Sequence, residues 1–91
     1  MYQKKNPRDG KVSFAVRAQQ AQQGFVAGDF TNWKPVAMHR KAGGGFEMTL
    51  PVSPGVYQYK FLLDGRWVVD PDNSSFAISP IGTINSVAHL D

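Results

Sequence analysis

One dipeptide constrains the fold of this chain more than any other: Asp64-Gly65, set inside an alternating apolar run over residues 56–70. An Asp-Gly pair between such runs is the strongest short-range signal for a two-residue β-hairpin turn. A loop that short sets the register. Leu63 is expected opposite Arg66, Leu62 opposite Trp67, Phe61 opposite Val68 and Lys60 opposite Val69. Side chains alternate between faces, so Tyr57, Tyr59, Phe61, Leu63 and Val68 share a core face. Gln58, Lys60, Leu62 and Trp67 share the other, with Lys60 diagonal to the indole and within its reach.

The remaining pattern is also that of short strands. Residues 11–17 alternate, with Val12, Phe14 and Val16 against Lys11, Ser13 and Arg17. Residues 18–23 are too few for an independent helix and read as a connector. A second strand is expected over residues 24–30, a weaker third over 36–39, and another over 46–50 after the glycines Gly43, Gly44 and Gly45. Ser53-Pro54-Gly55 suits a type II turn. The hairpin follows, then the loop Asp70-Pro71-Asp72-Asn73 and a final strand over residues 84–90. Strands at about ten-residue spacing, separated by turn residues, predict an all-β antiparallel sandwich of the immunoglobulin type.

Composition narrows the class further. Apolar residues are 42% of the 91 and charged residues 19%, the balance of one soluble globular domain. There is no cysteine, which excludes disulfides and thiolate metal sites. His39 and His89 are the only imidazoles, so no metal and no cofactor is expected. No signal-peptide pattern opens the chain, and nothing approaches the roughly 18 consecutive apolar residues of a membrane span. A cytoplasmic location and no membrane partner are therefore expected. The net charge of +3 gathers at Lys4, Lys5, Arg8 and Lys11. Such a cluster could serve nucleic acid. Small and terminal as it is, it reads as a flexible basic lead over residues 1–10, ahead of a single domain over 11–91, with no nucleic-acid partner.

Enzymatic readings find little support. Several of the carboxylates Asp9, Asp29, Glu47, Asp64, Asp70, Asp72 and Asp91 fall in turns, where Asp bonds the backbone. A glycosidase needs two carboxylates across a cleft, which a small sandwich scarcely provides. Phosphate-loop, nucleophile-elbow and His-Glu metal motifs do not occur, so no catalytic residue is assigned. A calcium loop starting at Asp70 would place its late acidic ligand at position 81, which is Ile81.

The tryptophans leave two readings open. Both Trp33 and Trp67 could be core, and Trp33 could seal a strand edge. For Trp67 the hairpin register favours exposure beside Lys60. An exposed indole suits sugars, because the axial C–H groups of a pyranose form an apolar, weakly positive patch that fits the negative ring face. Rim hydroxyls then need fixed donors and acceptors, and Lys60, Thr83 and Asn85 are of the right types.

Taken in order, Gly28-Asp29-Phe30-Thr31-Asn32-Trp33, Gly45-Phe46-Glu47, Pro54-Gly55, Tyr57-Gln58-Tyr59-Lys60-Phe61, Asp64-Gly65-Arg66-Trp67, Asp70-Pro71 and Gly82-Thr83-Ile84-Asn85-Ser86 carry a resemblance. The chain resembles family 48 carbohydrate-binding modules over almost its whole length. These include the early-set N-terminal domain of isoamylase and the glycogen-binding domain of AMP-activated kinase β subunits. The resemblance implies glucose stacking on Trp33 and Trp67, hydroxyl contacts from Lys60, Thr83 and Asn85, and Ile81 where glycogen binders carry an inserting leucine. It further implies a non-catalytic module for α-1,4-glucan (glycogen, starch or maltooligosaccharide), fused to or associated with a glucan-active enzyme or kinase. The alternative is an immunoglobulin-like protein-interaction or enzyme-accessory scaffold module without glucan binding.

Overall fold

The computed structural model describes residues 1–6 and 10–90. Two antiparallel sheets pack face to face as an immunoglobulin-like β-sandwich. One contains β1 (Tyr2–Asn6), β2 (Lys11–Val16), β6 (Phe46–Pro51) and β5 (His39–Arg40), in the order β1-β2-β6-β5. The other contains β4 (Val36–Ala37), β3 (Gly24–Gly28), β7 (Gly55–Leu63), β10 (Ile84–Leu90) and β9 (Phe76–Ile78), in that order. The short β8 (Arg66–Val68) pairs with β7 beside β10.

Alternation builds the core. Val12, Phe14 and Val16 of β2 and Phe46 of β6 face Val26 of β3, Tyr59 and Phe61 of β7, and Ala88 and Leu90 of β10. Rings carry much of the contact: Phe14 stacks on Phe30 at 4.9 Å and meets Tyr59 edge-on at 5.3 Å. Burying each such side chain contributes about 1.5–3 kcal/mol.

The hairpin forms as expected at its tip. Asp64 (φ +49°) and Gly65 (φ +81°) make a turn with both central residues left-handed, matching the type I′ requirement. Leu63 pairs with Arg66, Leu62 with Trp67 and Phe61 with Val68. The expected Lys60–Val69 pair does not form, because β8 ends at Val68. The Asp64 carboxylate instead leaves the hairpin to accept bonds from the Gln22 and Gln23 amides, which pins the 18–23 connector.

Several boundaries depart from the expectations. Tyr2–Asn6, expected within a flexible lead, pairs with β2, and the Tyr2 ring meets Tyr59 edge-on at 6.1 Å. Residues 7–9 of that lead, Arg8 included, lie outside the described residues. The second strand stops at Gly28, and Asp29–Thr31 is one turn of 3-10 helix. The expected strand over 36–39 is two: Val36–Ala37 joins β3, and His39–Arg40 joins β6 in the opposite sheet. Met38 sits buried at the crossing, its amide bonded to Gly24 O at 2.8 Å. Gly55 has φ +155°, far from the roughly +80° of a type II corner, and opens β7 instead. The edge strand β9 went unrecognised because three residues are too few to show alternation.

The Asp70 turn is structural. Its carboxylate is buried, accepts the Tyr59 hydroxyl at 2.6 Å and the Asp72 amide at 3.0 Å, and pairs with the Met1 amino group at 2.9 Å. Among the described residues, no helix is long and apolar enough to cross a membrane.

Candidate glucan-binding groove

The second sheet turns its outer face to solvent, and β7 supplies the middle of that face. Tyr59 and Phe61 point inward and are fully buried, so Gln58, Lys60 and Leu62 point outward. Opposite Leu62 on β8, Trp67 stands 49% exposed. That exposure settles the two readings of Trp67 in favour of the surface.

Trp33 reaches the same face from the loop after β3. Thr31 Oγ1 accepts the Gly28 amide and donates to the Gly28 carbonyl, both at 3.1 Å, which closes the 3-10 turn. Asn32 (φ +54°) and Trp33 (φ +60°) are then consecutive left-handed residues, and neither is glycine. The Trp33 amide donates to Gly28 O at 2.9 Å. Its indole Nε1–H donates to Asp29 Oδ1 at 3.0 Å. The half-buried ring meets Trp67 with centroids 6.5 Å apart and planes inclined at 64°.

The third wall is the connection from β9 to β10. Ser79 N–H donates to Thr83 O at 2.7 Å, Gly82 N–H to Ser79 O at 2.9 Å, and Thr83 N–H to Ser79 Oγ at 3.1 Å. The Ser79 and Thr83 hydroxyls share a further bond at 2.6 Å. This tight knot lifts Ile81 to its tip, 85% exposed. Asn85, at the start of β10, is buried and donates through Nδ2 to Gln58 Oε1 at 2.9 Å.

These elements enclose an open groove of about 580 Å³. All six residues singled out in the sequence line it: Trp33, Lys60, Trp67, Ile81, Thr83 and Asn85. Ser79 and Pro80 line it as well and were missed; a Ser-Pro-x-Gly turn beside Thr83 was the available signal. Asp29 and Gln58, which hold Trp33 and Asn85, were also missed, although Asp29 stands four residues before Trp33. Lys60 is the one charged side chain among the lining residues. The groove thus offers aromatic faces, an ammonium group, hydroxyls and a carboxamide, a set that stacks and hydrogen-bonds. Among the described residues, no group of three or more His, Asp or Glu side chains is placed to hold a metal ion.

A two-sheet sandwich with an aromatic groove on its outer face defines a small recognition module. Residues 13–91 match the family described as the glycogen recognition site of AMP-activated protein kinase, and the chain belongs to that family. It is 38% identical over 66 residues to the human 5'-AMP-activated protein kinase subunit beta-2, covering 72% of this chain and 24% of the subunit. Against the pig subunit beta-1 the identity is 35%, covering 72% of this chain and 52% of that protein. The chain thus spans about a quarter of the length of the beta-2 subunits it matches. Among solved structures, a maltogenic amylase from S. marinus superposes with a TM-score of 0.80 at 25% identity, over 100% of this chain and 16% of the amylase. A putative alpha amylase from Salmonella typhimurium gives 0.70 at 25% identity, over 87% of this chain and 13% of the amylase.

Proposed function

We propose that this chain is a non-catalytic module that binds α-1,4-linked glucan, as in glycogen, starch or maltooligosaccharides, along the groove. Trp33 and Trp67 are the stacking platform. The inclination of their planes at 64° suits a curved chain, whose successive glucose rings change direction, better than the flat ribbon of a β-1,4 glucan. Lys60, Thr83 and Asn85 orient hydroxyls, and Ile81 packs against the sugar from the loop tip. The convergence of two indoles, one cation and these polar groups in a single open groove, within a glycogen-recognition family, carries the reading. Each module binds weakly, since a shallow platform displaces well-hydrated hydroxyls and recovers only part of that cost. The larger relatives support a place beside a glucan-active enzyme or a kinase, in the same chain or in a complex.

A second reading, a protein-interaction scaffold, draws on Phe76 and Ile78, which are 61% and 68% exposed on the face of β9 opposite to Asn85. A titration followed by the indole ¹H–¹⁵N signals separates the two. Maltoheptaose should shift the resonances of Trp33 and Trp67 while cellohexaose leaves them in place, and retention on amylose resin should survive high salt. An unresponsive spectrum would leave the scaffold reading standing.

A further inference from the structure

We propose that Asp29 is the positioning residue of this groove: it clamps Trp33 by the ring edge, so that the indole offers its face to a ligand and withholds its N–H. The consequence for sugar binding rests on the glucan reading above; the clamp itself does not. Each carboxylate oxygen has its own partner. Oδ1 accepts the Trp33 Nε1–H at 3.0 Å, and Oδ2 accepts the Gln58 backbone amide at 2.8 Å. The first bond sets the rotation of the indole, and the second ties the loop that carries it to the centre of β7.

Such a tie matters because the loop is strained. Consecutive left-handed backbone at Asn32 and Trp33 is costly without glycine and persists only where the surroundings over-determine it. Here Gly28 O, Thr31 Oγ1 and Asp29 do so together. Gln58 then acts at both ends of the groove, with its amide holding the Trp33 clamp and its side chain accepting from Asn85 Nδ2 at 2.9 Å. Stacking ring and hydroxyl-binding carboxamide are thereby set in one frame before any ligand arrives. Preorganisation of this kind raises affinity by removing ordering costs from the binding step.

Asp29→Ala and Asp29→Asn in the 91-residue chain test the assignment. Asparagine can accept only one of the two bonds, because its amide nitrogen meets a donor at the other. Without ligand, Asp29→Ala should move the Trp33 indole proton upfield, speed its exchange with solvent and loosen the ring on the picosecond–nanosecond timescale, with Asp29→Asn intermediate. Maltoheptaose affinity should fall roughly three- to tenfold in Asp29→Ala, the scale of ordering one side chain. In the unsubstituted chain the Trp33 Nε1–H should stay protected when maltoheptaose binds, while its ring carbons shift. A Trp33 indole signal unmoved by both substitutions overturns the positioning role, whatever the sugar does. No maltoheptaose response in the unsubstituted chain overturns the glucan reading, with the ligand-free indole signals still deciding the clamp.

Discussion

Trp67 and Tyr59 come from adjacent strands of one hairpin ribbon and face opposite ways, which gives them opposite roles. The Trp67 ring packs on the outer face beside Trp33 and covers little of the core. Trp67→Ala should therefore weaken maltoheptaose binding by about 1–3 kcal/mol, the scale of an aromatic anchor. Thermal unfolding should be nearly unchanged, and a large drop in midpoint would assign the ring to the core instead. Tyr59 reverses this. Its hydroxyl donates to the buried Asp70 carboxylate at 2.6 Å and accepts from Asn73 Nδ2 at 3.0 Å. Tyr59→Phe should cost about 1.5–3 kcal/mol in urea unfolding at neutral pH, as expected for a bond to a charged group, with no direct loss of groove contacts. That Trp67 shares the Lys60 face was readable from Asp64-Gly65, since a two-residue turn leaves one register. That this face is the wet one was decided by the fold, because Leu62 and Val69 blur the contrast between the two faces in sequence. That the Asp29 carboxylate, four positions before Trp33, would hold the indole was not readable, because hydrogen-bond partners depend on where the loop folds back.

At the scale of elements, the loop from β3 to Trp33 depends on a close approach at its root. A Cβ on Gly28 would lie 2.5 Å from the Gln58 carbonyl oxygen and 2.8 Å from Tyr59 Cβ. Backbone cannot yield as a flexible side chain does, so Gly28→Ala should push the loop off β7. The expected outcome is a loss of several kcal/mol, the range of overpacked cores and broken networks, together with displaced Trp33 resonances. Gly65→Ala is the contrasting case. Its φ of +81° disfavours any side chain, but nothing lies within 4 Å, so the cost should stay at about 1–2 kcal/mol. Chemical denaturation of the two variants side by side checks the ordering. The split of residues 36–40 between two sheets illustrates the limit of pattern reading. Val36, Met38 and their neighbours alternate as one strand would, and only the buried crossing at Met38 shows that the chain changes partner.

For the molecule as a whole, the Tyr59–Asp70 network is the link between layers. Tyr59 lies in β7, Asp70 follows β8, the Asp70 amide donates to Ser86 Oγ in β10 at 2.7 Å, and Phe14 and Tyr2 of the opposite sheet pack on the Tyr59 ring. Burial first, and the hydrogen bond to Asp70 second, raise the Tyr59 pKa well above its ordinary value of about 10. The fold therefore favours the neutral phenol. That stabilisation is complete below pH of about 10 and is lost progressively above it, where the unfolded tyrosine ionises and the folded one resists. Unfolding measured from pH 8 to 11 should show stability falling at the alkaline end, with a shallower fall in Tyr59→Phe. The chain's own order of apolar and turn residues determined the all-β class, the hairpin register, the final strand and the pairing of Lys60 with Trp67 on one face, because alternation and turn chemistry act over a few residues. Trp33, Ile81, Thr83 and Asn85 entered mainly through the family resemblance. Tertiary structure alone decided that Trp33 meets Trp67, that the Ser79–Gly82 knot faces them, that Tyr2–Asn6 is a strand, and that Asp29 bonds Trp33 and Gln58 bonds Asn85. Most of those contacts join segments far apart in the sequence, and even the Asp29–Trp33 bond, between residues four apart, forms only because the left-handed loop folds back on itself.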